Sequence, residues 1–204
     1  MSIIPLGFHG DSVVALVVGG GRVATRRAIA LLDAGARVRV IAPDMSPELE
    51  ARSEGDANVV LERRPYAGPV DLTGATVVVA ATGSSDVNER VAQDATDADV
   101  PVNVADAPHR SSFDFLATHR SGPVVIGVSA GGVPRAAQRI RDSIAQGIDA
   151  RYGEAVSACA RLRERTVSGS GTQRWNEISD ELIGADFCDV VESGAFAERI
   201  ARWG

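Results

Sequence analysis

The sequence predicts an open α/β fold: a parallel sheet covered by helices, then a hairpin with a helix, then a small helical region. Three observations predict it. Over the first 106 residues, short β-branched runs alternate with stretches of helical periodicity, the pattern of a parallel sheet with crossover helices. A glycine-rich turn, Gly19-Gly20-Gly21, stands where the first run gives way to the first helical stretch. Beyond residue 107 the alternation stops, and two strands around Ser121-Gly122-Pro123 lead into helical sequence.

Each element has its own signal. Val13–Val18 is a continuous apolar run that suits a strand buried on both faces. From Arg22 to Ala34 the apolar residues Val23, Ala24, Ala28, Leu31 and Leu32 keep a helical rhythm, and Gly35 ends it. Val38–Ala42 reads as the second strand. Ser46-Pro47 opens a helix with a capping hydroxyl and a proline at the first position. Val59–Glu62 and Thr76–Ala81 follow as strands. A helix runs from Asp86 to about Thr96, with Asp86 and Glu89 at capping-box spacing, and Val102–Ala105 is a short strand. Ser112–Thr118 and Val124–Ser129 form the hairpin; the remainder is helical from Pro134, interrupted by a loop at Ser168–Thr172. The expected domains are residues 1–111, 112–148 and 149–204.

Composition excludes several functions. All 21 basic residues are arginine, so no phosphate-binding or Schiff-base lysine exists. A net charge of −6 argues against general nucleic-acid binding. The apolar runs are too short to span a membrane, and the N-terminus lacks the form of a secretory signal. Cys159 and Cys188 read as buried thiols of a cytoplasmic protein. His9, His109 and His119 are scattered, so no metal site is expected. Residues 107–148 are locally cationic, with Arg110, Arg120, Arg135, Arg139 and Arg141 against Asp114 and Asp142, a stretch that could attract an anionic ligand.

Gly19-x-Gly21-x-x-Ala24 fits a dinucleotide fingerprint. Gly19 permits the tight turn, Gly21 lets backbone approach a pyrophosphate, and Ala24 allows close helix–strand packing. The amides of Arg22, Val23 and Ala24 open the helix toward the phosphates. Asp44 lies 20 residues after Ala24, past the second strand, where a carboxylate accepts from the adenosine ribose and disfavours a 2′-phosphate. The expected cofactor is NAD.

Further elements carry a resemblance. They are Val17–Ala24, Leu31-Leu32-Asp33-Ala34-Gly35-Ala36, Ala80-Ala81-Thr82 with Val87-Asn88, Val102–Pro108, Ser112-Phe113 and Val128-Ser129-Ala130-Gly131-Gly132. In order and spacing the chain resembles the precorrin-2 dehydrogenase/sirohydrochlorin ferrochelatase family, which forms the N-terminal module of siroheme synthase. The resemblance implies a Rossmann-like domain, a dimerisation region over residues 112–148 and a C-terminal helical domain. It implies a homodimer that oxidises precorrin-2 to sirohydrochlorin with NAD, and in some members inserts Fe²⁺. The family's catalytic aspartate falls on Asp106, a general base for proton loss beside hydride transfer. Thr82 and Asn103 would join the cofactor site. Ser129, Gly131, Gly132 and Arg135 would meet the carboxylates of the anionic tetrapyrrole, which sits in the family's cleft.

Three departures stand out. Gly131-Gly132-Val133-Pro134 is one residue shorter than the family loop and lacks its serine. Ala130 replaces a serine phosphorylated in some members, and Gly83-Ser84-Ser85 replaces acidic residues. Two alternatives therefore stay open: recruitment to a different NAD(P)-dependent oxidation, and a non-catalytic NAD-responsive binding protein.

Overall fold

The computed structural model describes residues 3–203. The elements are β1 (Val14–Val18), α1 (Arg22–Leu32), β2 (Arg37–Ala42), α2 (Pro47–Gly55), β3 (Val59–Arg63), β4 (Val77–Ala80), α3 (Ser85–Asp97) and β5 (Val102–Val104). Then come β6 (Ala117–Ser121), β7 (Val124–Val128), α4 (Pro134–Ala145), α5 (Ala150–Ser170), α6 (Thr172–Leu182), α7 (Phe187–Glu192) and α8 (Phe196–Ala201). The chain divides into two compact units, Met1–Asp114 and Phe115–Gly204.

The first unit is a five-stranded parallel sheet in the order β3-β2-β1-β4-β5. Strand β1 is central, which explains its unbroken apolar run: Ala15, Leu16, Val17 and Val18 are all buried. One sheet face carries Leu16, Val18, Ile41, Val78, Ala80, Val102 and Val104 against Val91, Ala92 and Ala95 of α3. Helix α1 packs on β1, β2 and β4 through buried Ala24, Ala28 and Leu32. Each fully buried Leu, Ile or Val contributes about 1.5–3 kcal/mol relative to exposure. The chain passes from β1 outward to β2 and β3, then returns to the other side of β1 as β4. That reversal opens a crevice at the carboxyl ends of β1 and β4, where sheets of this kind take ligands.

Two expectations in this unit are corrected. The cap of α3 is Ser84, whose hydroxyl accepts from Val87 N at 3.4 Å; Asp86 and Glu89 form no capping box, and Glu89 pairs with Arg110 at 2.7 Å. The segment from Ser112 is not the start of the hairpin. Instead the hydroxyls of Ser111 and Ser112 accept from Val104 N (2.9 Å) and Val102 N (2.8 Å), supplying side-chain acceptors to the free edge of β5. The hairpin strand begins only at Ala117.

In the second unit β6 and β7 are antiparallel, joined by the two-residue turn Gly122-Pro123, with Ser121 opposite Val124. Helix α4 packs on both strands. Helices α5 to α8 enclose Tyr152, Ala155, Cys159, Leu162, Ile178, Leu182, Val191 and Phe196. The loop expected at residues 168–172 is mostly helix: α5 continues through Ser170, and only Gly171, at φ 84°, breaks the chain. Its upstream packing against α6 extends the helix across residues of weak intrinsic propensity. Cys159 is buried as expected, whereas Cys188 is exposed. No helix among the described residues is long and apolar enough to cross a membrane.

Candidate functional site

The carboxyl ends of four parallel strands place the sequence-derived residues of the first unit. The glycine turn follows β1, Asp44 follows β2, Thr82 follows β4 and Asp106 follows β5. Gly19 has φ +124°, and a Cβ there would lie 2.4 Å from the Ala81 carbonyl oxygen. A Cβ on Gly20 would lie 2.0 Å from the Asp44 carbonyl oxygen, and Ser46 N donates to Gly20 O at 3.1 Å. The glycine turn is therefore wedged between the turns after β2 and β4, which only residues without side chains permit.

Gly21 differs from its neighbours: a Cβ there would meet nothing within 4 Å. It caps α1 without a side-chain hydrogen bond, so the amides of Arg22, Val23 and Ala24 begin the helix with no carbonyl of an earlier turn to reach. Open space above free amides at a helix start suits a pyrophosphate. Thr25 Oγ1 donates to Gly21 O at 3.0 Å and lies 2.8 Å from Ser46 Oγ, locking α1 to the start of α2. Asp44 is exposed at the rim.

Thr82, Asn88, Ser85 and Asp106 form one network. Asn88 Oδ1 accepts from Thr82 N at 2.9 Å, and Asn88 Nδ2 donates to Asp106 Oδ1 at 2.9 Å. Ser85 Oγ donates to Asp106 Oδ2 at 2.8 Å. The hydrogen bond from Ser85 outweighs partial burial and, with that from Asn88, holds the Asp106 carboxyl below the usual carboxylate range. An ionised, oriented carboxylate at a sheet edge can accept a proton.

Asn103 lies inside β5 rather than at its end, opposite Val79 of β4, and is 4% exposed. Its Nδ2 donates to Phe113 O at 2.8 Å, while its Oδ1 is buried without a hydrogen-bond partner. Ser129, Gly131, Gly132 and Arg135 belong to the second unit, at the connection from β7 to α4, and all are exposed. Gly131 and Gly132 take φ +57° and +82°, so the turn presents backbone without side chains. His109 is exposed on a short 3-10 turn, and His119 Nε2 lies 2.6 Å from Ile148 O. Among the described residues no group of three His, Cys, Asp or Glu side chains gathers as a metal site would require.

Sequence reasoning missed the work of Asn88 and Ser85. A signal existed for Asn88. It falls with Val91, Ala92 and Ala95 on the buried stripe of α3, and a polar residue on such a stripe must find partners. Ser85 carried no such mark, since nothing local distinguishes it from its neighbours in Gly83-Ser84-Ser85.

Comparison with known proteins adds the family. Residues 8–117 match a family model described as NAD(P)-binding. The siroheme synthase of Ectopseudomonas mendocina (strain ymp) is 39% identical over 201 residues, covering 98% of this chain and 41% of that protein. The siroheme synthase of Pseudomonas putida (strain F1) is 40% identical over 200 residues, with shares of 98% and 41%. The chain thus spans about two fifths of the length of these curated relatives. A solved structure of "SirC, precorrin-2 dehydrogenase" superposes with a TM-score of 0.74 at 23% identity, covering 98% of this chain and 100% of that one, a likeness of fold. With residues 8–117, more than half of its length, matching the NAD(P)-binding family model, the chain belongs to that family, and it is similar over nearly all its length to part of the siroheme synthases.

Proposed function

We propose that the chain oxidises precorrin-2 to sirohydrochlorin with NAD⁺ in siroheme synthesis. The observation that carries this reading is Asp106. It is a carboxylate fixed through both oxygens at the carboxyl edge of the sheet, tied by Asn88 to the Thr82 turn that lies between it and the glycine turn, in a chain similar over nearly all its length to siroheme synthases.

The residues present fit a dinucleotide. Gly21 leaves room for the pyrophosphate, the α1 amides face it, and Asn103 Oδ1 remains as a buried acceptor. Asp44 would accept from the ribose hydroxyls and repel a 2′-phosphate, which favours NAD over NADP. When bound, NAD⁺ supplies the hydride acceptor. Oxidation of the macrocycle removes one hydride and one proton, and Asp106 takes the proton. Thr82 holds the turn that carries the network. In the second unit the Gly131-Gly132 amides, Ser129 and the forked guanidinium of Arg135 suit carboxylates of an anionic tetrapyrrole. Insertion of Fe²⁺ into sirohydrochlorin, with Asp106 taking the two displaced pyrrole protons one at a time and releasing each to solvent, is the second activity in this reading.

We assign residues 112–148 to a homodimer contact, because Val125, Val133, Ile140 and Ile144 there are exposed apolar side chains. Unpaired Cys159 and Cys188 agree with a reducing cytoplasm. One observation favours a second reading, another NAD(P)-dependent oxidation: the shortened Gly131-Gly132-Val133-Pro134 turn would reshape the substrate side.

Anaerobic incubation of the purified chain with precorrin-2 and NAD⁺ is expected to yield sirohydrochlorin and NADH. Folded, NAD-binding protein that gives no sirohydrochlorin would overturn the reading. Asp106→Asn is expected to lower turnover about 10²–10⁴-fold while preserving the Kd for NAD⁺. Sirohydrochlorin with Fe²⁺, followed by its absorbance, tests chelation. Asp44→Ser is expected to narrow the ratio of NADP⁺ to NAD⁺ dissociation constants.

A further inference from the structure

The polar chain around Asp106 does more than a lone base requires. Asn88 is 1% exposed, and its amide is fully engaged. Oδ1 lies 2.9 Å from Thr82 N and 2.8 Å from Thr82 Oγ1; Nδ2 lies 3.2 Å from Thr82 O and 2.9 Å from Asp106 Oδ1. Thr82 is joined to Ala81, the residue whose carbonyl packs against Gly19. One amide therefore ties the turn resting on the glycine loop to the carboxylate. Ser85 Oγ, at 2.8 Å, holds the other carboxylate oxygen. An aspartate alone has two free side-chain torsions, and donors from two residues on α3 restrain both.

We propose that Asn88 and Ser85 are positioning residues for Asp106: Asn88 registers the carboxylate against the Thr82 turn, and Ser85 fixes its second oxygen. The inference rests on the assignment of Asp106 as the base. Both groups are neutral donors, so the geometry does not itself titrate over the working range. Both favour the ionised form of Asp106, which agrees with its lowered pKa. The charged and titratable groups on the elements packed around it are Asp86, Glu89, Arg90, Asp94 and Asp97 of α3 and His109 and Arg110 of the 3-10 turn Pro108–Arg110 after β5. Of these, Glu89 and Arg110 pair with each other at 2.7 Å.

The test is a carbon-13 NMR titration of aspartate carboxyls in the full chain, with Asp106 assigned by the signal lost in Asp106→Asn. It is combined with the pH profile of precorrin-2 oxidation. Ser85→Ala, at an exposed position, is expected to raise the Asp106 midpoint, to move the acid limb of kcat upward in parallel, and to lower kcat about tenfold with KM unchanged. Ser85→Thr keeps the hydroxyl and is expected to restore all three. Asn88→Asp removes the donor and sets a second carboxyl against Asp106. It is expected to cost most activity at neutral pH and to regain part of it in acid, when the introduced carboxyl is protonated and donates again.

An Asp106 midpoint and acid limb unchanged in both Ser85→Ala and Asn88→Asp would overturn the inference, even if stability fell. Full activity in Asp106→Asn would instead remove the base, while the titration, which needs no turnover, still decides whether the two donors hold the carboxylate.

Discussion

In the first unit, β1 keeps Ala15, Leu16, Val17 and Val18 at 0–1% exposure between two layers of helices. In the second, α4 buries only Ala137 and leaves Ile140 at 47% and Ile144 at 37%, while Val125 of β7 is 53% exposed. The first unit closes its sheet on both faces, and its exposed apolar side chains lie outside that core, on the N-terminal segment (Ile3, Ile4, Leu6, Phe8) and at Val60 and Val70. A two-stranded ribbon with one helix is too thin to close in this way, and three or more strands or further packing are normally needed. Helices α5 to α8 close a core of their own, and of the second unit's exposed large apolar side chains all but Ile183 lie on β7, α4 and the turn between them. The difference separates two tasks: a closed sheet can hold a cofactor turn rigidly, whereas an open helix face is suited to association.

The largest break in this contrast should come from Gly20→Val. Its side chain would enter the space of the Asp44 carbonyl, which lies 2.0 Å from a Cβ at that position. Loss of measurable NAD⁺ binding is expected by calorimetry, with stability lowered by about 3 kcal/mol. Retained binding would mean that the two turns part readily.

Ile140→Asp acts on the other unit. For the proposed homodimer, the dissociation constant is expected to rise about 30-fold or more by sedimentation equilibrium, with NAD⁺ affinity unchanged. An unaltered constant would move the interface away from α4.

Asp71 tests how rigid the first unit is. It is 3% exposed, accepts from Arg64 at 2.6 and 3.0 Å, and receives Ala67 N at 2.7 Å. Asp71→Ala should cost about 2–3 kcal/mol in denaturant melts at neutral pH. The Arg64 hydrogen bonds depress the Asp71 pKa in the folded state. Its contribution is therefore complete above the ordinary carboxylate range and disappears as pH falls through the lowered folded value. The stability curves of wild type and variant should converge in acid; a constant gap would show that the loss comes from packing alone.

Ser46→Ala should be the mildest change. It removes the α2 cap to Leu49 N and the link to Thr25 Oγ1, for about 1 kcal/mol. Any loss of NAD⁺ affinity beyond twofold would show that this link also steadies the glycine turn.

Much of the first unit was legible because its signals are local. A β-branched run followed by glycines marks β1 and its turn, and Ser46-Pro47 marks the start of α2. Boundaries failed where a serine hydroxyl took a backbone amide that local patterning did not assign to it. Ser84 displaced the capping pair expected of Asp86 and Glu89, and Ser111 and Ser112 turned to the edge of β5 instead of entering the hairpin. The first is a choice between neighbouring acceptors, since Ser84 caps Val87 N three residues on; the second joins residues seven and ten positions apart, which periodicity cannot register.

The sequence by itself determined the order of elements, the glycine turn and the position of Asp106 after a strand, since each follows from composition within a few neighbouring residues. Only the tertiary structure decided how Asp106 is held. Its two donors, Ser85 and Asn88, come from α3, across the β4–β5 crossover. They meet the carboxylate because the parallel register brings Ala80 beside Val104, so the segments after both strands emerge at one edge. It also decided that α4 would keep an apolar face outward, because burial depends on what the fold places opposite a helix and not on the helix's own periodicity.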